Sequence, residues 1–299
     1  MIDRVMPMLA TSAAPFDSGA YFFEVKWDGV RALAAVGEGH WNLWGRELAE
    51  YGGRYPELEV LRRLPSGTVV DGELVMLQNG RPDLKAILRR HQMVHPVRIR
   101  DASQRTPIHY VLFDILYHQG RSLLREPFIR RRSVLVDVLT ELNVPHLMLS
   151  EGIAQFGREF FERVVAQGHE GVMAKHQSSH YLPGRRSATW KKIKPTLVLP
   201  CVIIGYTLSP DGLRSLVVAS EHEGALRYRG QVTSGFSNLW KTELARRLAA
   251  RRRPQPVVSC PRHACWVEPE FFCRVRFLQW TPLGHLRGAS FAGMIEGSA

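Results

Sequence analysis

Cysteine, lysine and long apolar runs are all scarce in this sequence. Four cysteines in 299 residues are too few for a disulfide framework, which favours a reducing, cytoplasmic location. No apolar run approaches the ~20 residues that span a bilayer, and no signal-peptide pattern opens the sequence, so we expect no membrane association. With 45% hydrophobic and 23% charged residues, the composition excludes a largely disordered protein. A length prior of roughly 150 residues per domain predicts about two domains.

Acidic residues are outnumbered by basic ones. Forty Lys+Arg against 28 Asp+Glu give a net charge of +12, which is typical of a protein with a polyanionic partner. Residues 1–196 hold 27 basic and 21 acidic side chains, and residues 197–299 hold 13 and 7. Each part therefore has a net charge of +6, so the shorter one has the higher charge density. A GC-rich genome or a need for solubility would produce a similar excess.

The few lysines are not spread evenly. Only seven of the basic residues are lysine, and five of them lie in a few short stretches, at Lys26, Lys175, Lys191, Lys192 and Lys194. Arginine stays protonated and cannot act as a nucleophile, whereas a lysine with a lowered pKa can. The pattern therefore indicates positions where amine chemistry is needed, with chance clustering as the alternative.

The order of predicted elements indicates a mixed fold. Alternating or apolar stretches predict strands over 21–28, 31–36, 41–46, 68–77, 110–117, 170–175 and 189–194. Helical patterns cover 82–92, 125–142, 157–167 and 237–253. Pro195 and Pro200 bracket a change in composition, which predicts a domain boundary after residue 196. Short strands and one helix in the remaining part fit a small barrel such as an OB-fold.

Five segments carry the residue types that covalent nucleotidyl transfer uses. They occur in the order EVKWDGVR (24–31), VVDGELV (69–75), VLFDILY (111–117), EGVMAK (170–175) and WKKIK (190–194). Together they resemble the ATP-dependent DNA ligases of the covalent nucleotidyltransferase superfamily. The ligase domain of bacterial end-joining ligases and their stand-alone relatives is the most similar group. A single K-x-D-G would be a weak signal, but the resemblance continues to the WTPLGHLR stretch at 280–287.

The resemblance implies an α+β fold. We expect an antiparallel-sheet nucleotidyltransferase domain over residues 1–196, followed by a β-barrel OB-fold domain over residues 197–299. The nucleotide pocket is expected between the sheets of the first domain, with the OB-fold domain able to close over it.

Lys26 is the candidate nucleophile. A free lysine is protonated at neutral pH, so the site must lower its pKa before the amine can attack a phosphate. Lys192 and Lys194, together with a divalent metal, would supply nearby positive charge. The same charge would stabilise the α-phosphate in the transition state.

The resemblance implies roles for the residues around the base and the ribose. Glu24 accepts from the adenine amino group, and Phe113 stacks on the base. Arg31 and Glu73 hold the ribose and the nearby phosphate region. Arg46 reads the ribose and the nick phosphate, although its WGRE context departs from the family's usual Ser-Arg pair. Core packing is the alternative for Phe113.

Further roles concern phosphate and metal. The resemblance assigns Glu170, with Glu73, to a divalent metal, and Lys192 and Lys194 to the α-phosphate. Salt bridges at a strand edge are the alternative for both glutamates, and a surface basic run is the alternative for both lysines. Asp28 and Asp71 are expected to organise loops.

The C-terminus departs from the family pattern. Ser290-Phe291-Ala292-Gly293 is present, but the positions matching the family's Arg-x-Asp-Lys element are Ile295, Gly297 and Ser298. That element is expected to orient the β- and γ-phosphates. Arg287 is the nearest cation, and we expect it to take over part of this role.

Two further groups of residues are weaker candidates. Cys260, His263, Cys265 and Cys273 have the right atoms for zinc, but their spacing is not a standard ligand pattern, so we expect buried thiols instead. Arg130–Arg132 is expected to be a solvated helix face. Arg246–Arg253 is a candidate contact with phosphate backbone.

The function expected is sealing of nicks in duplex DNA, in DNA repair, with ATP and Mg²⁺ or Mn²⁺. Nicked double-stranded DNA is the expected partner, with DNA-end-binding or repair polymerase proteins as further candidates, and the chain is expected to be a monomer in the bacterial cytoplasm. The alternatives are an RNA ligase or GTP-dependent capping-type enzyme, and a nucleic-acid-binding protein that has lost catalysis. The sequence leaves open whether nicks or double-strand ends are joined.

Overall fold

The computed structural model describes residues 4–142, 144–210, 212–261 and 263–295. The chain divides into two compact units, Met1–Lys194 and Pro195–Ala299. Gly297 and Ser298 of the C-terminal comparison lie outside the described residues. Within the described residues, no helix is both long and apolar enough to cross a bilayer.

The first unit contains two sheets with helices packed against them. Its strands are β1 (Leu9–Ser12), β2 (Ser18–Val25), β3 (Val30–Val36), β4 (Trp41–Trp44), β5 (Thr68–Val75), β6 (Leu77–Gln78), β7 (Arg81–Pro82), β8 (His109–His118), β9 (Arg121–Ser122), β10 (Leu147–Leu149), β11 (Gly152–Gln155), β12 (Val172–His176) and β13 (Arg186–Ile193). Its helices are a 3₁₀ helix (Pro56–Arg63), α1 (Leu84–His91), α2 (Pro96–Arg105), α3 (Phe128–Leu142) and α4 (Gly157–Ala166).

The two main sheets are mostly antiparallel. A five-stranded sheet has the order β1-β13-β12-β2-β11, and a six-stranded sheet has the order β10-β8-β5-β3-β4, with β9 beside β8. The pairs β1–β13 and β8–β10 are parallel. The largest apolar core lies on the six-stranded sheet, where Val70 and Leu112 pack with Leu58 of the 3₁₀ helix and Leu135 of α3. The expected α+β class with antiparallel sheets is confirmed.

Several element boundaries differ from the sequence prediction. α1 begins at Leu84 because Asp83 caps it, accepting from the Ala86 N–H at 2.9 Å, while Arg81 and Pro82 pair as a short strand. Helix α2, which begins at a proline, and the 3₁₀ helix were not predicted. The strand that carries Glu24 ends at Val25, so Lys26 follows it in a loop.

The prediction of a solvated Arg130–Arg132 face is wrong for two of the three arginines. Arg131 is buried and binds Asp114 through two hydrogen bonds of 2.7 and 2.8 Å. Arg132 is largely buried, lies over the Phe22 ring and donates to the Ser150 carbonyl at 2.9 Å. These two arginines face the core side of α3 because buried carboxylates and carbonyls there supply partners for their guanidinium groups.

The second unit is built on one antiparallel sheet. Its elements are β14 (Leu197–Ser209), β15 (Gly212–His222), β16 (Ala225–Val232), α5 (Asn238–Ala249), β17 (Arg252–Arg253), β18 (Cys265–Phe277), β19 (Gln279–Trp280), β20 (Leu286–Arg287) and β21 (Ser290–Ile295). The sheet has the order β16-β15-β14-β18-β17, with β21 beside β18. Among the strands that the structure describes, this path is open, so hydrogen bonding does not close the expected barrel. Helix α5 packs Leu244 and Leu248 into the core of this unit.

The cysteines of the second unit are all free thiols. Cys201 and Cys273 are buried and lie opposite each other on β14 and β18. Burial raises the pKa of each to about 12, which makes them unreactive at neutral pH. Between residues 4 and 295, excluding the three undescribed positions, no three His, Cys, Asp or Glu side chains come together as a metal site.

Candidate active site

A cavity of ≈150 Å³ in the first unit is lined by residues from both main sheets. The five-stranded sheet contributes most of the wall, through Leu9, Ala10, Glu24, Val25, Met173, Lys175, Arg186, Trp190 and Lys192. The six-stranded sheet contributes Arg31, Glu73 and Phe113. Lys26, Trp27 and Arg46, which follow strand ends, complete the lining.

Strand register brings the key side chains onto one face of the five-stranded sheet. Glu24 on β2 lies opposite Met173 on β12, which lies opposite Lys192 on β13. The neighbouring row contains Lys175 opposite Trp190. Because alternate residues of a strand share a face, both rows point to the same side of the sheet.

Glu24 and Lys175 form a buried ion pair in the wall of the cavity. Lys175 Nζ lies 2.5 Å from Glu24 Oε1, and both side chains are 1% exposed. Burial raises the pKa of Glu24 and lowers the pKa of Lys175, and each is opposed by the charge of the other. Lys175 also donates to the Phe113 carbonyl at 3.1 Å, so the pair is fixed to β8.

Glu24 keeps one oxygen without a hydrogen bond. Oε2 is buried and makes no hydrogen bond with the described residues, and Arg132 Nη1 lies 3.8 Å from it. A buried carboxylate oxygen that lacks a donor is costly unless a ligand supplies one. The position is therefore suited to an amino group such as that of adenine.

Phe113 is buried beside two cations. The guanidinium carbon of Arg31 lies 4.8 Å from its ring centroid, and Lys175 Nζ lies 4.4 Å from it. The ring is 8% exposed and lines the cavity. Phe113 thus combines core packing with access to the cavity, and its stacking role stays a prediction.

Arg31 is oriented by a buried carboxylate. It binds Asp71 through Nε and Nη2 at 2.7 and 2.6 Å, and Tyr181 donates to the same carboxylate at 2.6 Å. Burial alone would lower the pKa of Arg31, but Asp71 outweighs it and raises the pKa above its ordinary value. Asp71 therefore positions an arginine of the cavity rather than a loop.

Lys26 is bound by Glu170. One oxygen of Glu170 accepts from Lys26 and the other from Lys194. Lys26 is 21% exposed, Glu170 is 20% exposed and Lys194 is 30% exposed. Burial by itself would raise the pKa of Glu170, but Lys26 and Lys194 outweigh it and hold the pKa below its ordinary value.

A glycine makes this arrangement possible. Gly171 follows Glu170 and has a φ of 144°, and a Cβ there would lie 2.1 Å from the Ile193 carbonyl oxygen. Its own carbonyl accepts the Lys26 N–H at 2.9 Å. Gly171 therefore joins the end of β2 to the end of β13 at the start of β12.

Two more carboxylates belong to the same electrostatic environment. Burial, followed by the charge of Glu170, raises the pKa of Asp28, while Lys26 and Lys194 oppose the shift. Burial raises the pKa of Glu73 to about 7, against the lowering effects of Arg31, Lys26 and Arg46. Glu73 therefore titrates near neutral pH.

The remaining cations of the cavity have no carboxylate partner. Arg46 is exposed and makes no hydrogen bond or ion pair with the described residues. Lys192 lines the cavity, and its pKa is lowered first by burial and then by the neighbouring cations, of which Arg186 is the strongest. Arg186 itself donates to the Ala10 carbonyl at 2.5 Å. The cavity wall thus offers unpaired positive charge to an anionic ligand.

The structure brings most of the predicted site residues together in the cavity lining, but not all of them. Glu24, Lys26, Arg31, Arg46, Glu73, Phe113 and Lys192 all line the cavity. Lys194 is not among the lining residues and binds Glu170 instead. Arg287 lies in the second unit, on the short strand β20, and its role stays a prediction.

The carboxylates present fit a metal held mainly through ligand phosphates. Mg²⁺ typically takes one or two carboxylates together with substrate phosphates. Glu73 lines the cavity without a lysine partner, whereas both oxygens of Glu170 are taken by lysines. Glu170 must release a lysine before it can bind a cation.

Lys175 and Trp190 are among the cavity residues that were not predicted from the sequence. Lys175 was noticed only as one of the clustered lysines, and Trp190 only as a strand residue beside Lys192. The signal that could have found Lys175 is its position directly after three apolar residues, Val172–Ala174, in the same strand. A lysine in such a strand is buried only when it has a partner.

Comparisons with known proteins identify the family of this chain. The sequence matches the family described as ATP dependent DNA ligase domain over residues 7–194, and the ATP dependent DNA ligase C terminal region over residues 209–296. It is 31% identical over 309 residues to the multifunctional non-homologous end joining DNA repair protein LigD of Mycobacterium tuberculosis H37Rv, covering 98% of this chain and 38% of that protein. It is 34% identical over 258 residues to a DNA ligase of Thermococcus fumicolans, covering 78% of this chain and 45% of that protein.

Solved structures show the same fold. The ligase domain of M. tuberculosis LigD aligns with a TM-score of 0.57 and 30% identity, over 97% of this chain and 95% of that one. A mycobacterial DNA ligase D complexed with ATP and MES aligns with a TM-score of 0.54 and 30% identity, over the same shares of the two chains. The chain spans well under half the length of the LigD proteins that it matches.

Proposed function

The chain belongs to the ATP-dependent DNA ligase family, and from this premise we propose that it seals nicks in duplex DNA through a covalent lysyl-AMP intermediate. The RNA-ligase and GTP-dependent alternatives are not favoured, because the relatives named above are DNA ligases. The observation that supports the proposal most is the position of Lys26, which lines a cavity whose wall holds an unpaired carboxylate oxygen and unpaired cations.

Three transfers make up the proposed reaction. Unprotonated Lys26 Nζ attacks the α-phosphorus of ATP, so an N–P bond forms and the P–O bond to pyrophosphate breaks. The AMP then passes to the 5′-phosphate of the nick, which restores the lysine. Finally the 3′-hydroxyl attacks that phosphate, a phosphodiester forms and AMP leaves.

The protein's own residues prepare the first transfer. Glu170 holds Lys26 and Lys194 beside the cavity, and a bound triphosphate would compete for both amines. Once Lys26 leaves the carboxylate, Lys192 and Lys194 would be the positive charges beside it, and nearby positive charge favours the neutral form of an amine. A metal held by Glu170 and Glu73 would add to that charge. Lys192 and Lys194 then stabilise the charge that develops on the α-phosphate.

Glu170 and Glu73 are the proposed carboxylates for Mg²⁺ or Mn²⁺. When bound with the triphosphate, the ion would neutralise phosphate charge. Asp28 is a further carboxylate within the influence of Glu170.

Arg287 is proposed to contact the β- and γ-phosphates. If so, Arg287→Ala slows adenylylation of Lys26 about ten- to a hundredfold, as expected for one lost charge-assisted contact, and leaves sealing of a pre-adenylylated nick nearly unchanged. Equal losses in both assays would assign Arg287 to DNA binding instead.

The proposed partner is nicked duplex DNA, and the proposed location is the bacterial cytoplasm, where that DNA lies. The LigD relatives are described as multifunctional end-joining repair proteins, so DNA-end-binding and repair polymerase proteins are proposed as further partners. We propose that the chain acts as a monomer.

The deciding experiment uses α-labelled ATP and α-labelled GTP with wild-type protein and Lys26→Ala, followed by a denaturing gel. We expect label from ATP on the wild type, none from GTP, and none on the variant, because the amine is the nucleophile. The variant should still seal a pre-adenylylated nick in part. Label of equal yield on Lys26→Ala would place the nucleophile elsewhere, and no label on either protein would favour a binding protein.

A further inference from the structure

Two residues that line the cavity each have a buried polar atom with no hydrogen-bond partner among the described residues. The two atoms are the Oε2 of Glu24 and the indole Nε1 of Trp190. One can only accept a hydrogen bond and the other can only donate one. Other buried polar atoms without partners, such as those of Arg90 and His118, belong to residues outside this cavity.

The two residues lie on the same face of one sheet. Glu24 is on β2 and Trp190 is on β13, and β12 pairs with both strands. The register places Trp190 opposite Lys175, the residue that binds Glu24. Lys175 therefore contacts both residues, through Oε1 of Glu24 and the ring of Trp190.

Trp190 is held in place more firmly than a surface residue would be. Its side chain is 1% exposed. Tyr181 packs edge-on against it with ring centroids 5.6 Å apart, and Lys175 Nζ lies 4.4 Å from its ring centroid. An N–H on a ring fixed from several sides has a fixed direction, as a specific hydrogen-bond donor requires.

Adenine offers the matching pair of groups. Its exocyclic amino group donates, and it lies beside a ring nitrogen that accepts, N1 on one edge of the base and N7 on the other. Guanine has a carbonyl oxygen where adenine has the amino group. That oxygen would face the Glu24 carboxylate, and on the N1 edge a second donor would face the indole N–H.

We propose that Trp190 donates its indole N–H to a ring nitrogen of the bound adenine, next to the amino group that Glu24 accepts, so that the two residues together select adenine over guanine. This inference rests on the proposed function, because it assigns a base contact within the same nucleotide site. A site that hydrogen-bonds its substrate rejects an analogue that leaves those groups unpaired. Trp190 thus contributes to nucleotide specificity as well as to packing.

The test measures single-turnover adenylylation of the protein with ATP, 1-deaza-ATP, 7-deaza-ATP and GTP. Trp190→Phe keeps an aromatic ring and removes only the N–H donor and part of the ring area. We expect the KM for ATP to rise about tenfold, as for one lost hydrogen bond to a base nitrogen, with a smaller change in kcat because the contact exists in ground and transition states alike. One deaza analogue should bind the wild type as weakly as ATP binds the variant.

The decisive comparison is the variant with that analogue. Removal of the donor and removal of the acceptor break the same hydrogen bond, so the two losses should not add. The analogue that shows this non-additivity identifies N1 or N7 as the acceptor. The ratio of adenylylation with GTP to adenylylation with ATP should be higher for the variant than for the wild type.

Trp44→Phe is the matched control. Trp44 is also 1% exposed in the first unit and does not line this cavity, and its Nε1 already donates to the Val5 carbonyl at 2.9 Å. This change should lower the thermal unfolding midpoint without altering the ratio of ATP to deaza-ATP binding.

Two outcomes would overturn the inference while leaving the proposed function intact. One is normal adenylylation by Trp190→Phe with unchanged discrimination between all four nucleotides. The other is additive losses for both deaza analogues, which would mean that the substitution acts only through packing. By contrast, a wild-type protein that forms no adduct with ATP would refute the proposed function itself.

Discussion

Glu24–Lys175 and Glu170–Lys26–Lys194 use the same two residue types beside one cavity, but they differ in burial. The first pair is 1% exposed on both sides, whereas the members of the second group are 20–30% exposed. Burial raises the pKa of Glu24 in spite of its lysine, whereas two lysines lower the pKa of Glu170 in spite of burial.

The difference separates recognition from chemistry. A buried pair that is fixed to the neighbouring sheet presents one oxygen in a constant position, which suits reading a base. The lysines of the partly exposed group can exchange the Glu170 carboxylate for a phosphate at low cost, because partly solvated ion pairs contribute little net stability. The proposed nucleophile, Lys26, belongs to the partly exposed group, and the proposed base acceptor, Glu24, belongs to the buried pair.

The largest predicted effect comes from breaking the buried pair. Lys175→Met leaves the buried Glu24 carboxylate with only the more distant Arg132, 3.8 Å from its Oε2, as a counter-charge, so the free energy of unfolding should fall by about 3–5 kcal/mol. Urea unfolding at pH 8 measures it. The matched variant Lys194→Met removes a lysine from the exposed group and should cost under about 1 kcal/mol. Similar losses for the two variants would abolish the distinction between the pairs.

A second substitution tests whether charge causes the loss at Lys175. In the double variant Glu24→Gln, Lys175→Met, both charges of this pair are removed, so part of the lost stability should return. A double variant as unstable as the sum of its single changes would show that the lysine acts through packing alone.

Glu73 sharpens the comparison because it lines the cavity with no lysine partner. Its pKa is raised by burial from an ordinary value of 4.5 to about 7, so the folded state binds a proton more tightly than the unfolded state. Wild-type stability should therefore fall as pH rises from about 4.5 through 7, and Glu73→Gln should lack this fall. The stability difference between the variant and the wild type should shift in the variant's favour by roughly 1–3 kcal/mol between pH 4 and pH 8. Urea midpoints across that range measure it, and parallel curves would contradict it.

The smallest predicted effect concerns Glu170. Its lowered pKa means that the carboxylate stabilises the folded state above pH 4.5, and that this contribution is lost as pH falls through the lowered folded-state pKa. Glu170→Gln should cost up to about 1 kcal/mol at pH 7 and less at pH 3. Thermal unfolding at the two pH values checks the prediction. A cost of several kcal/mol at pH 7 would mean that this group is as rigid as the buried pair.

Seven of the fifteen cavity-lining residues were predicted from the sequence, because they occur in ordered short motifs. Glu24, Lys26 and Phe113 could be placed from the order of those motifs. Lys175 could not be paired with Glu24, because the two residues are 151 positions apart and meet only through the register of β2 and β12. The hydrogen bond of Tyr181 to Asp71 could not be predicted for the same reason.

The second source of error was the burial of individual residues within a run of identical ones. Arg130, Arg131 and Arg132 have the same side chain. A helical pattern of apolar residues does not show which of them has a buried carboxylate as its partner. Asp114 and Glu24 decide this for α3. Similarly, Trp190 reads as a strand residue, and only its unpaired N–H in the cavity wall distinguishes it from a core tryptophan.

Gly171 has a consequence for attempts to re-engineer this site. The ends of β2 and β13 both contact this residue at the start of β12. Its carbonyl accepts the Lys26 N–H, and the Ile193 carbonyl leaves no room for a Cβ atom. Even alanine would push β13, and with it Lys192 and Lys194, away from the loop that carries Lys26. A library that varies Lys192 and Lys194 should therefore keep glycine at position 171. Both the loop that carries Lys26, the proposed nucleophile, and the strand that carries Lys192 are positioned against this residue.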